Sequence, residues 1–148
     1  MILISHRGNI SGKDAARENK PDYISKALAE GYHVEVDVWM KGDELYLGHD
    51  YPVDKCPESF LRDERIWFHT KNLAALEMLI TKSVPNFFWH QEDSYTLTSN
   101  GFIWAYPGKQ LSGKSIAVLP EQGGYSKEYL SQAAGICSDT ISAYRELS

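Results

Sequence analysis

The segment His33–Met40 constrains the fold more than any other part of the chain. Valine alternates with polar residues: Val34, Val36 and Val38 fall on one face of an extended chain, Glu35, Asp37 and Trp39 on the other. Strict alternation of this kind marks a strand buried on its valine side. Gly42-Asp43 then reads as a two-residue hairpin turn, so Glu44–Gly48 runs back antiparallel. A parallel crossover needs about 10–12 residues or more, which this turn cannot supply.

Other short apolar runs recur along the chain: Ile2–His6, Ile66–Phe68, Phe87–Trp89, Phe102–Ala105, Ile116–Leu119 and Gly135–Cys137. Helical patterns lie between several of them. Within Ala15–Glu30, Pro21 opens a helix whose Ile24, Ala27 and Leu28 share a face, and Gly31 ends it. Asn72 is a suitable N-cap for Asn72–Thr81, where Leu73, Leu76 and Ile80 form an apolar stripe. Ser126–Ala134 also reads as helical. Pro107–Lys114 is too short for a proper crossover helix.

Strands alternating with helices imply βαβ units and a parallel sheet. An eight-stranded β/α barrel typically needs about 250 residues, and this chain has 148. The expected fold is therefore α/β: a single domain over 1–148, a shortened TIM-type barrel with about seven parallel strands and reduced helices. An open α/β sheet is the alternative. Exposed edges in an incomplete barrel would invite pairing with a second copy, so a homo-oligomer is an open possibility.

A net charge of −5 argues against a nucleic-acid-binding surface. No apolar run is long enough to span a bilayer, and no leader precedes His6-Arg7, so the expected location is the cytoplasm. Cys56 and Cys137 lack metal-site or redox-motif spacing and read as free thiols.

Glu35 and Asp37, two apart on one strand, point to the same side. Two carboxylates that close do not both ionise comfortably without a cation between them, and a divalent metal such as Mg²⁺ or Ca²⁺ would serve. The same pattern also fits acids solvated on an open sheet face. His6, His49, His69 and His90 fall at or near the ends of apolar runs, where parallel β/α folds gather functional side chains. A strict two-residue hairpin sets His49 opposite Val36, facing away from the acids. A shift or bulge at Gly48 is needed to turn it toward them. Arg7 and Lys71 supply local positive charge suited to a phosphate. Trp39, on the face of the acids, is placed to line a pocket, with His90 and Tyr106 on the same rim. The other tryptophans read as packing.

His6-Arg7-Gly8, Glu18-Asn19, Glu35-Val36-Asp37-Val38, Gly42-Asp43 and His49-Asp50, in that order, resemble the glycerophosphodiester phosphodiesterase family, within the phospholipase-C-like phosphodiesterases. Gly135-Ile136-Cys137-Ser138-Asp139 resembles the family's last barrel strand. The resemblance is concentrated in residues 6–50; the middle of the chain matches only in strand rhythm. It implies a β/α barrel, metal-dependent cleavage of a small phosphodiester, and a role in lipid metabolism. His6 and His49 would be the general acid and base, Glu35 and Asp37 metal ligands, and Arg7 and Lys71 phosphate ligands. In related enzymes a substrate hydroxyl attacks first and forms a cyclic phosphate.

The sequence departs from the family at several points. His69 stands where a further metal-binding glutamate is usual, which shifts preference toward Mn²⁺ or Zn²⁺. Glu121 is the alternative source of the missing oxygen. Arg17 replaces the usual proline and Lys20 the usual threonine or serine. Leu119-Pro120-Glu121-Gln122 replaces a tryptophan-containing motif. The family's substrate-covering insertion has no room, so the alcohol need not be glycerol. Two other readings stand beside the hydrolase: a non-catalytic barrel that binds a phosphorylated ligand or partner, and a metal-independent phosphodiester lyase.

Overall fold

A computed structural model describes all residues 1–148. The strands are β1 (Ile2–His6), β2 (His33–Lys41), β3 (Glu44–Leu47), β4 (Asp54–Lys55), β5 (Ile66–Thr70), β6 (Phe87–Phe88), β7 (Tyr95–Leu97), β8 (Ile103–Ala105), β9 (Ser115–Val118) and β10 (Gly135–Ser138). The helices are α1 (Pro21–Ala29), α2 (Leu73–Thr81), α3 (Pro120–Gly123) and α4 (Lys127–Leu130), with 3₁₀ segments at Glu58–Arg62 and Ile141–Leu147. No helix is long and apolar enough to cross a membrane.

The protein is a mixed α/β fold around one curled, mostly parallel sheet. Neighbours pair in parallel in the order β6-β5-β2-β1-β10-β9-β8. The hairpin strand β3 pairs antiparallel with the outer half of β2, β4 pairs with β3, and β7 pairs antiparallel with β8. As the short Gly42-Asp43 turn requires, Lys41 faces Glu44 and Val38 faces Leu47.

The valine face of β2 does what its alternation demands. Val34, Val36 and Val38 are fully buried in one apolar cluster with Ile24, Ala27 and Leu28 of α1. A second cluster fills the concave side: Ile4, Trp67, Phe88, Trp104, Ile116, Val118 and Cys137. Trp67 of β5 and Trp104 of β8 lie far apart along the strand order, with β2, β1, β10 and β9 between them. Their ring centroids are nonetheless 6.0 Å apart, which requires the sheet to curl. Beyond β7, Ser99 N–H donates to Phe87 O at 2.9 Å, and Phe87 N–H donates to Ser99 Oγ at 2.9 Å. These bonds tie one end of the strand order to the other.

Two helical expectations are corrected. In α2 the buried residues are Ala75 and Leu79, while Leu73 and Ile80 are 64% and 57% exposed. Leu73 and Ile80 of the apolar stripe therefore face outward, with Leu76 half-buried. Asn72 decides this: its side chain caps Ala75 N–H at 3.1 Å and also bonds the Met40 N–H (3.1 Å) and carbonyl (2.9 Å). That anchor fixes the rotation of a helix that is apolar nearly all round. The expected Ser126–Ala134 helix is a single turn, Lys127–Leu130, capped by Ser126. Its short span leaves Gly135 free to enter β10.

Candidate functional site

Strand register assembles the site. β1, β2 and β5 are adjacent and parallel, and His6 pairs with Glu35 while Asp37 pairs with His69. Partners in a parallel ladder point to the same side, so these four side chains meet above the concave cluster. Lys71 follows at the end of β5, where its N–H donates to Val38 O.

Asp37 is fully buried and Glu35 is 2% exposed. His69 Nδ1 lies 3.2 Å from Asp37 Oδ1 and 3.6 Å from Glu35 Oε1. One ligand atom from each of the three residues fits within a 4.8 Å span, so the trio could hold a metal ion. Two further facts fit a cation there. Glu35 Oε2 and Asp37 Oδ1 are buried without a hydrogen bond, an arrangement that is costly unless a positive group faces them. His69 Nε2 is 2.8 Å from the His90 carbonyl; it donates there, which leaves Nδ1 toward the acids. Metal-binding histidines are commonly oriented in this way.

Cations surround Asp37. Arg7 Nε approaches its Oδ2 at 2.9 Å, off the hydrogen-bond axis, and Lys71 Nζ approaches Oδ1 at 3.6 Å. Burial alone would raise the Asp37 pKa. The close approach of His69 and the charges of Arg7, His69 and Lys71 outweigh it and hold the carboxyl well below its usual range. Asn19 grips the same residue twice: Nδ2 donates to Oδ2, and Oδ1 accepts from the Asp37 N–H, both at 2.9 Å. Asn19 has φ 62° and Arg7 φ 55°, left-handed values that asparagine tolerates better than most residues. Asn19→Ala is expected to lower stability by about 1–3 kcal/mol, since it orphans buried groups and strains the backbone. Urea unfolding checks this, and an unchanged midpoint would contradict it.

His69 carries a pH dependence. Burial lowers its pKa, but the close approach of Asp37 and Glu35, and their charges, outweigh that and raise it to about 9 from 6.5. With metal chelated, the stability gained from the charged ring is full below 6.5 and is lost as pH rises through about 9. Thermal unfolding with chelator should therefore show a falling midpoint across that window. His69→Gln should flatten the slope; a parent with no slope would contradict the charge state assigned to the ring.

His6 stands across the cleft from His69. Its Nδ1 bonds Asp139 Oδ1 at 2.7 Å, and its Nε2 is 3.8 Å from Glu35 Oε2. Burial lowers its pKa, but the Asp139 bond and the Glu35 charge prevail and the pKa is raised. Asp139 is held in turn by Asn9 Nδ2 at 2.8 Å and, through its own N–H, by Glu121 Oε1 at 3.0 Å.

Glu121 is thereby corrected as a metal ligand. It lies on α3, exposed, with its carboxylate turned to Ser138 and Asp139. His49 is not brought to the acids either. β3 leaves its ladder at Gly48, which has φ 147°, and a Cβ there would collide with the Tyr51 carbonyl. His49 then sits half-exposed at the edge of the cleft, its Nδ1 2.8 Å from Asp50 Oδ1. Asp139 and Asn19 were quoted in the sequence motifs without a role. Their spacing gives no hint of the side-chain bonds they make.

A cleft of about 680 Å³ opens over the cluster, lined by His6, Arg7, Glu35, His69 and Lys71 on one part and by aromatic side chains beyond. A second hollow of about 510 Å³ adjoins it and shares Arg7, Lys13 and His49.

No protein-family model matches the chain, and no solved structure matches it. A stretch of 59 residues, 40% of the chain, is 39% identical to the maltogenic alpha-amylase of Bacillus licheniformis, and it spans 9% of that protein's length. A match of that extent shows no family.

Proposed function

We propose that the chain is a metal-assisted phosphodiester hydrolase of the glycerophosphodiester phosphodiesterase type, carried on a shortened β/α barrel. One observation carries this reading. Two adjacent buried acids have unpartnered oxygens, and one of them, Glu35, lines a single cleft with Arg7, Lys71, His69 and His6. Such a cleft offers a cation site and an anion site side by side, as cleavage of a charged diester requires.

Glu35, Asp37 and His69 would hold the metal. The imidazole nitrogen favours Mn²⁺ or Zn²⁺ over the harder Mg²⁺ and Ca²⁺. When bound, the ion would stabilise charge on phosphoryl oxygens. Arg7 and Lys71 are placed to orient the phosphate. His6, its proton affinity raised between Asp139 and Glu35, is suited to protonate the departing alkoxide. His49, with Nδ1 on Asp50, has Nε2 free to accept the proton of an attacking hydroxyl.

The exposure of His49, whose Nδ1 is taken up by Asp50, favours a second reading, a non-catalytic binder of phosphorylated ligands. Turnover of bis(p-nitrophenyl) phosphate with Mn²⁺, Mg²⁺ or chelator separates the readings. Metal-dependent p-nitrophenol release is expected. Phosphate binding without release would favour the binder; a cyclic phosphate formed under chelation from a diester that carries a neighbouring hydroxyl would favour the lyase.

A further inference from the structure

Phosphate chemistry uses only part of the cleft. The lining also includes the aromatic side chains of Trp89, His90 and Tyr106, together with Pro107 and Leu119. Tyr106 is 40% exposed, and its ring lies flat on the His90 imidazole, centroids 4.3 Å apart at 17°. His90 itself is 6% exposed, and its Nε2 is buried without a hydrogen-bond partner. Its carbonyl is the group that accepts from His69. One residue therefore backs an exposed aromatic face and also fixes the imidazole at the acid cluster. Leu119, in the same lining, holds a left-handed φ of 43°, the kind of strained conformation that collects at binding sites. Gln91 and Gln122, both exposed, stand in the same lining.

We infer that this end of the cleft is a subsite for a pyranose-type sugar ring, carried as one of the two alcohols of the phosphodiester; the inference rests on the phosphodiesterase reading. A sugar presents a C–H face that packs on a flat aromatic ring, and hydroxyls that need both donors and acceptors. Tyr106, stiffened by His90, supplies the flat face. The glutamine amides supply donors and acceptors together. A fatty chain would leave the amides of Gln91 and Gln122 facing apolar groups. An organic cation would meet Arg7, Lys13 and Lys71 around the same cleft.

The test compares two diesters with Mn²⁺ present, a glucose–phosphate–glycerol diester and methyl glycerol phosphate. The glucose diester is expected to show kcat/KM higher by about tenfold or more. Tyr106→Ala should erase most of that ratio, whereas Tyr106→Phe, which keeps the ring, should retain it. Equal rates for the two diesters, or a ratio that survives Tyr106→Ala, would overturn the subsite. If neither diester is cleaved, the phosphodiesterase reading fails, and calorimetric binding decides the subsite by itself. Glucose 1-phosphate binding tighter than methyl phosphate, with the difference lost in Tyr106→Ala, supports it; equal affinities overturn it.

Discussion

Asp37→Asn is expected to lower stability by about 3 kcal/mol or more at neutral pH and to abolish metal binding. The substitution keeps shape and removes charge. Arg7, His69 and Lys71 all lie within 3.6 Å of the Asp37 carboxylate, and without it three positive groups crowd a site that is mostly closed to water. Glu35 remains, but it reaches only His69 and His6 among the cations. With Asp37 neutral, the His69 pKa should fall back toward 6.5 from about 9, and the variant should lose part of the pH slope described above. Urea unfolding and Mn²⁺ calorimetry read both effects. A variant as stable as the parent, binding Mn²⁺ normally, would mean that the acid is not the centre of the cluster.

His6→Ala is expected to cost about 10²–10⁴-fold in kcat while leaving Mn²⁺ affinity intact. His6 touches the acids only through Glu35 Oε2 at 3.8 Å, so its loss leaves Asp37 and His69 in place. Asp139 keeps Asn9 and the backbone bond to Glu121, so the fold should survive. The leaving group gives a sharper readout. A p-nitrophenol departs without a proton, whereas an alkyl alcohol needs one, so the loss should be larger for a glycerol diester than for the aryl substrate. Equal losses would remove His6 as the acid. His49→Ala should also reduce turnover strongly; near-normal rates in both variants would refute the acid–base assignment.

Much of this arrangement was legible in the residues. The valine alternation of β2 put Glu35 and Asp37 on the face opposite the helices, because a period of two leaves no other choice. The hairpin length made β3 antiparallel. Ile24, Ala27 and Leu28 sit on the buried face of α1 because polar residues surround them. α2 misled because Leu73-Ala74-Ala75-Leu76 and Met78-Leu79-Ile80 are apolar on every side; its face was set by Asn72 bonding Met40, a contact between distant segments. Glu121 misled for a related reason. It follows an apolar run, as His6 and His69 do, but its carboxylate is taken up by Ser138 and the Asp139 N–H. β7, which joins β8 to the neighbourhood of β6, has only three residues and an exposed Leu97, too little pattern to announce a strand.

The most direct measurement is a crystal soaked with Mn²⁺ and inorganic phosphate, with anomalous scattering used to find the metal. One manganese bound by Glu35, Asp37 and His69 Nδ1 is expected, with a phosphate contacting Arg7 and Lys71 and His6 facing it. A soaked crystal with no manganese at those three residues, or with phosphate away from Arg7, would contradict the metal-assisted phosphodiesterase reading.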